Sequence, residues 1–238
     1  SHRHRQPGDR CAELWNGAEQ GFFTPETVDL LPQAARQVRL LPITTRSIAQ
    51  YQRIRWPAGA LPREALTANG AVLLRDGAID RDWYEQSWGL VRAHQGALRD
   101  LLERISARED VTSARIVENM YVYAACSDAA AAERCAAAWA QDAPFQMEVS
   151  GRKVYWFPPG IDKGTALRRA AGRYRPERIL CAGDSVIDVP MLRRADLAMI
   201  PDGTLLPALP AERTLVCQEN VRFPDFVLRT VLAQAGPG

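Results

Sequence analysis

Apolar positions along the chain alternate between helical and strand spacing, and the switches between them predict the elements. Residues 24–36 place Val28, Leu31, Ala34 and Ala35 on one helical face, with Thr24 as cap and Pro25 at the first helical position. The run 38–43 is short and almost wholly apolar, so it predicts a buried strand that ends in the polar Thr44-Thr45-Arg46. A helix over 47–54 follows, and then two apolar stretches over 66–74 around Asn69-Gly70, a strand-turn signal. Residues 82–108 have helical spacing throughout and 114–125 are strand-like. Residues 129–141 are Ala-rich and helical, and 145–149 and 153–157 are short strands.

After Pro158-Pro159-Gly160 the alternation resumes. It gives a helix over 163–174, a strand 178–182, a polar loop 183–190, a short helix 191–194, an apolar strand 197–200, a strand 214–217 and a last helix 225–234. Helices alternating with short, fully apolar strands predict a mostly parallel sheet covered on both faces, hence an α/β core. The expected core comprises residues 1–80 and 158–238, and residues 81–157 form an inserted α+β cap. Two linkers crossing at one place suggest a hinge.

Composition narrows the class. At 238 residues the chain can bury a full core, and 30 basic against 28 acidic side chains leave a net charge of +2, too balanced to predict nucleic-acid binding. Apolar runs stay far below the ~20 residues that span a bilayer, so neither nucleic acid nor membrane is an expected partner. The five cysteines (11, 126, 135, 181 and 217) have neither disulfide-framework nor zinc spacing and suit a reducing, cytoplasmic setting. His2, His4 and His94 show no metal spacing.

The stretch richest in chemistry is Gly183-Asp184-Ser185-Val186-Ile187-Asp188. An apolar strand delivers Asp184 past its carboxyl end and Asp188 stands four residues on, so two hard oxygen ligands can converge where Mg²⁺ and a phosphate would fit. As plain structure, the same pair would start a turn and cap a helix. Thr44 is also placed at a strand's carboxyl end. Lys163 opens a helix after Asp162, an unfavourable place for a cation unless an anion faces it. Arg46, Arg53 and Arg55 could meet an anionic substrate. Trp83, Trp88, Tyr121, Tyr123, Tyr155 and Trp156 could line the cap's inner face or form its core.

Taken together, Thr44-Thr45-Arg46, Asp162-Lys163-Gly164-Thr165-Ala166-Leu167 and Gly183-Asp184-Ser185-Val186-Ile187-Asp188-Val189-Pro190-Met191-Leu192 resemble the second, third and fourth motifs of the haloacid dehalogenase (HAD) superfamily. Thr67-Ala68-Asn69-Gly70-Ala71 resembles the segment that leads into the α/β cap in its sucrose-phosphate and mannosyl-3-phosphoglycerate phosphatase branch. The resemblance implies a Rossmann-like core and Mg²⁺-dependent hydrolysis of a small phosphorylated metabolite through an aspartyl-phosphate. It assigns catalytic roles to Thr44, Lys163, Asp184 and Asp188, metal binding to Asp184 and Asp188, and substrate contacts to Thr45, Arg46 and Ser185.

The family's first motif, an apolar strand ending in Asp-x-Asp that carries the nucleophile, has no match here: Asp9 follows no apolar run and Asp29 lies in a helical pattern. The expectation is that the nucleophile strand lies upstream of residue 1. A sheet without its central strand would leave buried backbone groups unpaired. The alternatives are a catalytically inactive module that binds a phosphorylated metabolite or a protein, and a phosphotransferase.

Overall fold

A computed structural model describes residues 5–139 and 144–236. His2, His4 and the last two residues of the helix expected over 129–141 lie outside these. The amino-terminal segment makes two small antiparallel pairs, β1 (Arg10–Cys11) with β4 (Phe22–Phe23) and β2 (Leu14–Trp15) with β3 (Ala18–Glu19). Helix α1 (Pro25–Gln37) starts as its sequence predicts, with the Thr24 hydroxyl accepting from the Thr27 N–H at 2.7 Å. It packs against α8 (Phe223–Ala235), where Leu31, Ala34, Leu228 and Val231 are buried together.

Between them the chain forms α2 (Ile48–Gln52) and an antiparallel sheet of β5 (Glu64–Thr67), β6 (Val72–Arg75) and β7 (Ala78–Ile79). The strand expected over 38–43 does not form as a strand. Among the described residues only Ile43 makes a bridge, to Leu66, because the segment pairs at its end with β5 and with no described strand on its other side.

The expected single helix over 82–108 is two, α3 (Arg81–Val91) and α4 (Gln95–Ser106), joined by a 3-10 turn at Arg92–His94. Their apolar faces have different partners, so the chain bends between them. Trp83 of α3 packs with Leu66, Leu73 and Ala166, whereas Leu98, Leu101 and Ile105 of α4 pack on a second sheet. Likewise 114–125 is a hairpin of β8 (Val111–Val117) and β9 (Tyr121–Cys126), reversed by Glu118 and Asn119 at φ of 49° and 63°.

With β10 (Gln146–Ser150) and β11 (Lys153–Phe157) these strands make an antiparallel sheet in the order β10-β11-β9-β8. Strand alternation divides its two faces. Val122, Ala124, Val154 and Trp156 point to α4 and α5 (Ala129–Trp139), and Tyr121, Tyr155 and Phe157 point to Tyr51, Ala68, Ile161 and Ile187.

The last third of the chain carries α6 (Lys163–Tyr174), β12 (Leu180–Ala182), α7 (Val189–Leu192), β13 (Leu197–Ile200) and β14 (Thr214–Val216). Strands β12, β13 and β14 form a parallel sheet in that order, the expected doubly covered type, and β13 is buried along its whole length.

Candidate active site

Strand β12 ends at Ala182, and the loop beyond it folds around one carboxylate. Asp188 Oδ2 accepts the N–H of Asp184 and of Ser185, each at 3.0 Å, and the Ser185 hydroxyl at 2.9 Å. Oδ1 accepts from Lys163 Nζ at 2.5 Å. Both partners are nearly buried, with side chains 11% and 5% exposed. Such a pair is held by its full set of hydrogen bonds rather than by charge alone. Gly183 permits the arrangement, because a Cβ there would lie 2.5 Å from the Asp188 Cβ. Asp184 itself is exposed at the loop's surface.

Lys163 reaches Asp188 because α6 lies against α7. The Asp162 carboxylate caps α6 through the Thr165 N–H at 2.8 Å, and Gly164 lets the helix approach Pro190 closely. The cation expected to face an anion at this helix start therefore faces Asp188.

Thr44 enters from the other side. Its N–H donates to Leu66 O and its carbonyl accepts from the Asn69 N–H, both at 2.8 Å, while its hydroxyl accepts from the Arg46 N–H at 3.2 Å. The Asn69 side-chain amide donates to Ile161 O at 3.2 Å, two residues before Lys163, so one buried asparagine links the Thr44 loop to the Lys163 loop. Asn69 sits at φ 58° and its side-chain oxygen has no partner among the described residues. The sequence signalled a turn here through Asn-Gly but not this bridging role.

The antiparallel sheet roofs the Thr44 loop. The Tyr121 hydroxyl donates to Thr45 O at 2.6 Å, and the Glu118 carboxylate accepts from the Ile48 N–H at 2.9 Å. Burial pushes the Tyr155 hydroxyl to about 12 and that of Tyr121 well above the ordinary tyrosine value, so both stay protonated at neutral pH. Burial, with Asp188 and Asp196 nearby, raises the Cys181 thiol to about 12, and it packs as an inert apolar group.

Of the basic candidates, Arg46 ion-pairs with Glu13 at 2.5 Å and Arg53 pairs with the same carboxylate at 2.8 Å. Glu13 is buried and was not singled out by sequence, since it lies in a polar stretch without apolar periodicity. Arg55 is exposed, and its N–H bonds Ala12 O. Of the aromatic candidates, Tyr121, Tyr123 and Tyr155 lie on the roof's inner side, Trp156 lies in the roof's own core, Trp88 packs beside the inner cluster, and Trp83 lies beneath the Arg169 guanidinium at 3.8 Å.

Among the described residues no group of three or more His, Cys, Asp or Glu side chains gathers at one point. The donor chemistry here still suits Mg²⁺. That ion takes one or two carboxylates and fills its remaining octahedral positions with waters and phosphate oxygens, and Asp184 is an exposed aspartate whose backbone N–H donates to Asp188.

No family model and no curated protein matches the sequence. Solved structures do match in shape. The sucrose-phosphatase of Synechocystis, determined with sucrose and phosphate, superposes with a TM-score of 0.62 at 17% identity over 88% of this chain and 89% of that one. A haloacid dehalogenase-like hydrolase of B. subtilis gives 0.56 at 14% identity over 88% and 93%. A HAD-superfamily phosphatase of Bacteroides thetaiotaomicron gives 0.52 at 15% identity over 90% and 88%. The chain therefore has the fold of the HAD superfamily phosphatases, an α/β core with a parallel sheet and an α+β cap.

Proposed function

We propose that this chain forms the body of a phosphomonoester hydrolase acting on a small phosphorylated metabolite such as a sugar phosphate. The observation that supports the reading is the bonding of Lys163, the Ser185 hydroxyl and the Asp184 backbone N–H to Asp188 at the carboxyl end of β12, with the Thr44 loop linked through Asn69 to Ile161, two residues before Lys163. In this reading an aspartate on a strand upstream of residue 1 attacks phosphorus. A carboxylate O–P bond forms, the ester O–P bond breaks and the alcohol leaves with a proton. Water then cleaves the aspartyl-phosphate, releasing phosphate and restoring the carboxylate.

The chain's own residues supply the surroundings of that exchange. Lys163 places positive charge beside the transferring oxygens, held in position by Asp188. The Thr44 hydroxyl and the Thr45 N–H orient the phosphate. The roof sheet above Thr45 restricts water. Asp184, with Asp188 beside it, would hold Mg²⁺, which neutralises charge on the phosphate when bound. The free thiols suit a reducing, cytoplasmic compartment.

Neither aspartate ahead of Thr44 can be the nucleophile: Asp9 is buried and doubly bonded to Arg222 at 2.5 and 3.0 Å, and Asp29 lies within α1. That observation favours a second reading, a phosphometabolite-binding module without turnover. Phosphate release from a panel of sugar phosphates, measured on the full-length protein and on its Asp184→Asn variant, separates the two. Hydrolysis that Asp184→Asn abolishes supports the enzyme, hydrolysis that survives the substitution refutes the site, and binding without hydrolysis selects the module.

A further inference from the structure

The backbone of the Thr44 loop is almost fully committed. The Thr44 N–H donates to Leu66 O and its carbonyl accepts from the Asn69 N–H, the Arg46 carbonyl accepts from the Ala68 N–H and the Ser47 carbonyl from the Tyr51 N–H, all at 2.8 to 2.9 Å. The Ser47 N–H donates to Gln50 Oε1 at 2.9 Å, and the Arg46 N–H to the Thr44 hydroxyl at 3.2 Å. From Thr44 to Ser47 a single backbone group, the N–H of the half-buried Thr45, has no partner among the described residues. Backbone groups withdrawn from water rarely stay unpaired, so this donor points to an acceptor from outside the chain.

One partner in the loop comes from the roof sheet. The Tyr121 hydroxyl donates to Thr45 O at 2.6 Å. Thr45 O and the Arg46 N–H are opposite ends of one planar peptide group, so a bond at the oxygen fixes the direction of the N–H. That N–H meets the Thr44 hydroxyl, which has two lone pairs and one hydrogen. With a lone pair taken by the Arg46 N–H, the Thr44 hydrogen turns elsewhere, and among the described residues it has no acceptor. The Thr44 O–H and the Thr45 N–H are thus both left to an anion. Were the 45–46 peptide to turn over, its carbonyl would face the Thr44 hydroxyl, which would donate to it and be lost to the anion.

Tyr121 is placed rigidly. It is fully buried, and its ring lies 4.8 Å from that of Phe157 and 6.3 Å from that of Tyr155. Glu118, in the turn before β9, accepts from the Ile48 N–H, so the start of that strand touches the loop at two points. Burial keeps the Tyr121 hydroxyl protonated, hence a donor, at neutral pH. The Tyr155 hydroxyl lies against the Thr45 side chain, which holds residue 45 when the bond to its carbonyl is cut.

We propose that Tyr121 is a positioning residue: through the 45–46 peptide it turns the Thr44 hydroxyl outward to donate to a tetrahedral oxyanion such as phosphate. The inference rests on the proposed function for the identity of that anion, and its test needs no turnover.

The test compares four forms of the full-length protein: wild type, Tyr121→Phe, Thr44→Val and the double variant. Tyr121→Phe keeps the ring and its packing. Calorimetric titration with orthophosphate in the presence of Mg²⁺ is expected to show binding roughly five- to tenfold weaker for either single variant, the net worth of one hydrogen bond. Both act through the same hydroxyl, so the double variant should match Thr44→Val within about twofold. A bond that only satisfied a buried tyrosine would leave orthophosphate affinity unchanged in Tyr121→Phe, or give losses that multiply in the double variant, and either result overturns the proposal. Hydrogen exchange reads the peptide itself. Tyr121→Phe should speed the Arg46 amide roughly tenfold, while the Thr44 amide, bonded to Leu66 O, keeps its rate. An unchanged Arg46 amide, or equal acceleration of both, also counts decisively against it. Coupled orthophosphate binding without hydrolysis of any sugar phosphate would uphold the positioning role and reject the hydrolase, and a wild type that binds no orthophosphate would overturn both.

Discussion

Gly164 and Gly172 lie in the same helix, α6, and their substitution by alanine should have opposite effects. On helix propensity alone each replacement gains about 0.5–1 kcal/mol, because alanine has less backbone freedom to lose on folding. At Gly172 nothing lies within 4 Å of the new Cβ, so that gain should appear in full. At Gly164 the Cβ would fall 2.4 Å from Pro190 O, 2.7 Å from Pro190 C and 2.9 Å from Pro190 Cβ. Ordinary contact begins near 3.4 Å, so α6 must retreat from α7 by about 3.4 − 2.4 = 1.0 Å. Overpacking of this kind costs about 1–3 kcal/mol, and a gap of that size forfeits a quarter to a half of each contact it opens. Gly164→Ala is therefore expected to destabilise by about 1–3 kcal/mol, and Gly172→Ala to stabilise by about 0.5–1 kcal/mol. Urea unfolding followed by tryptophan fluorescence compares the two midpoints directly. A Gly164→Ala midpoint equal to or above that of Gly172→Ala would refute the close approach of α6 and α7, and with it the geometry that places Lys163 on Asp188.

Lys163→Met removes the counter-ion of a nearly buried carboxylate, while Asp188 keeps its donors from the Asp184 and Ser185 backbone and the Ser185 hydroxyl. Breaking such a pair costs about 3–5 kcal/mol, and relieving a lysine at a helix N-terminus returns about 0.3–1, so we expect a net loss of about 2–4 kcal/mol in denaturant unfolding; a loss below about 1 would contradict the pairing. Asp80→Ala should cost about 2 kcal/mol, from the lost α3 cap on the Trp83 N–H and the lost bond to Arg173 at 2.8 Å, the latter discounted because Arg173 is one-third exposed. Burial works against the Asp80 carboxylate, but the Trp83 N–H and Arg173 outweigh it and hold it below its ordinary value. Its contribution is then complete above the unfolded value of about 4 and fades as pH falls through the lower folded value. The stability gap between wild type and Asp80→Ala should accordingly be constant from pH 7 to about 5 and close below about 4, and a gap that persists at about pH 2.5 would count against this account.

What sequence could show depended on how local the cause was. Asp184 was legible because a three-residue apolar strand must end in a polar loop, and α6 because Asp162 is a cap by residue type. The bend at Arg92–His94 was not, since α3 and α4 each keep helical periodicity and only their partners differ. The turn inside 114–125 was hidden because Glu118 and Asn119, not glycine, take the positive φ. Glu13 and the Tyr121 hydroxyl serve residues 33 and 76 positions away, Arg46 and Thr45, and no periodicity reports such pairs.

The segment 38–43 shows the same limit more sharply. Its composition is that of an interior strand, yet strand formation is a property of neighbours: a lone extended segment has donors and acceptors but no ladder. Among the described residues β12 likewise pairs only with β13, and its Leu180 and Ala182 are half-buried where β13 is buried throughout. The site inherits this division. Thr44 stands at the end of 38–43 and Asp184 with Asp188 beyond the end of β12, and the polar link traced between them runs from Thr44 through Asn69 and Ile161 to Lys163 and Asp188.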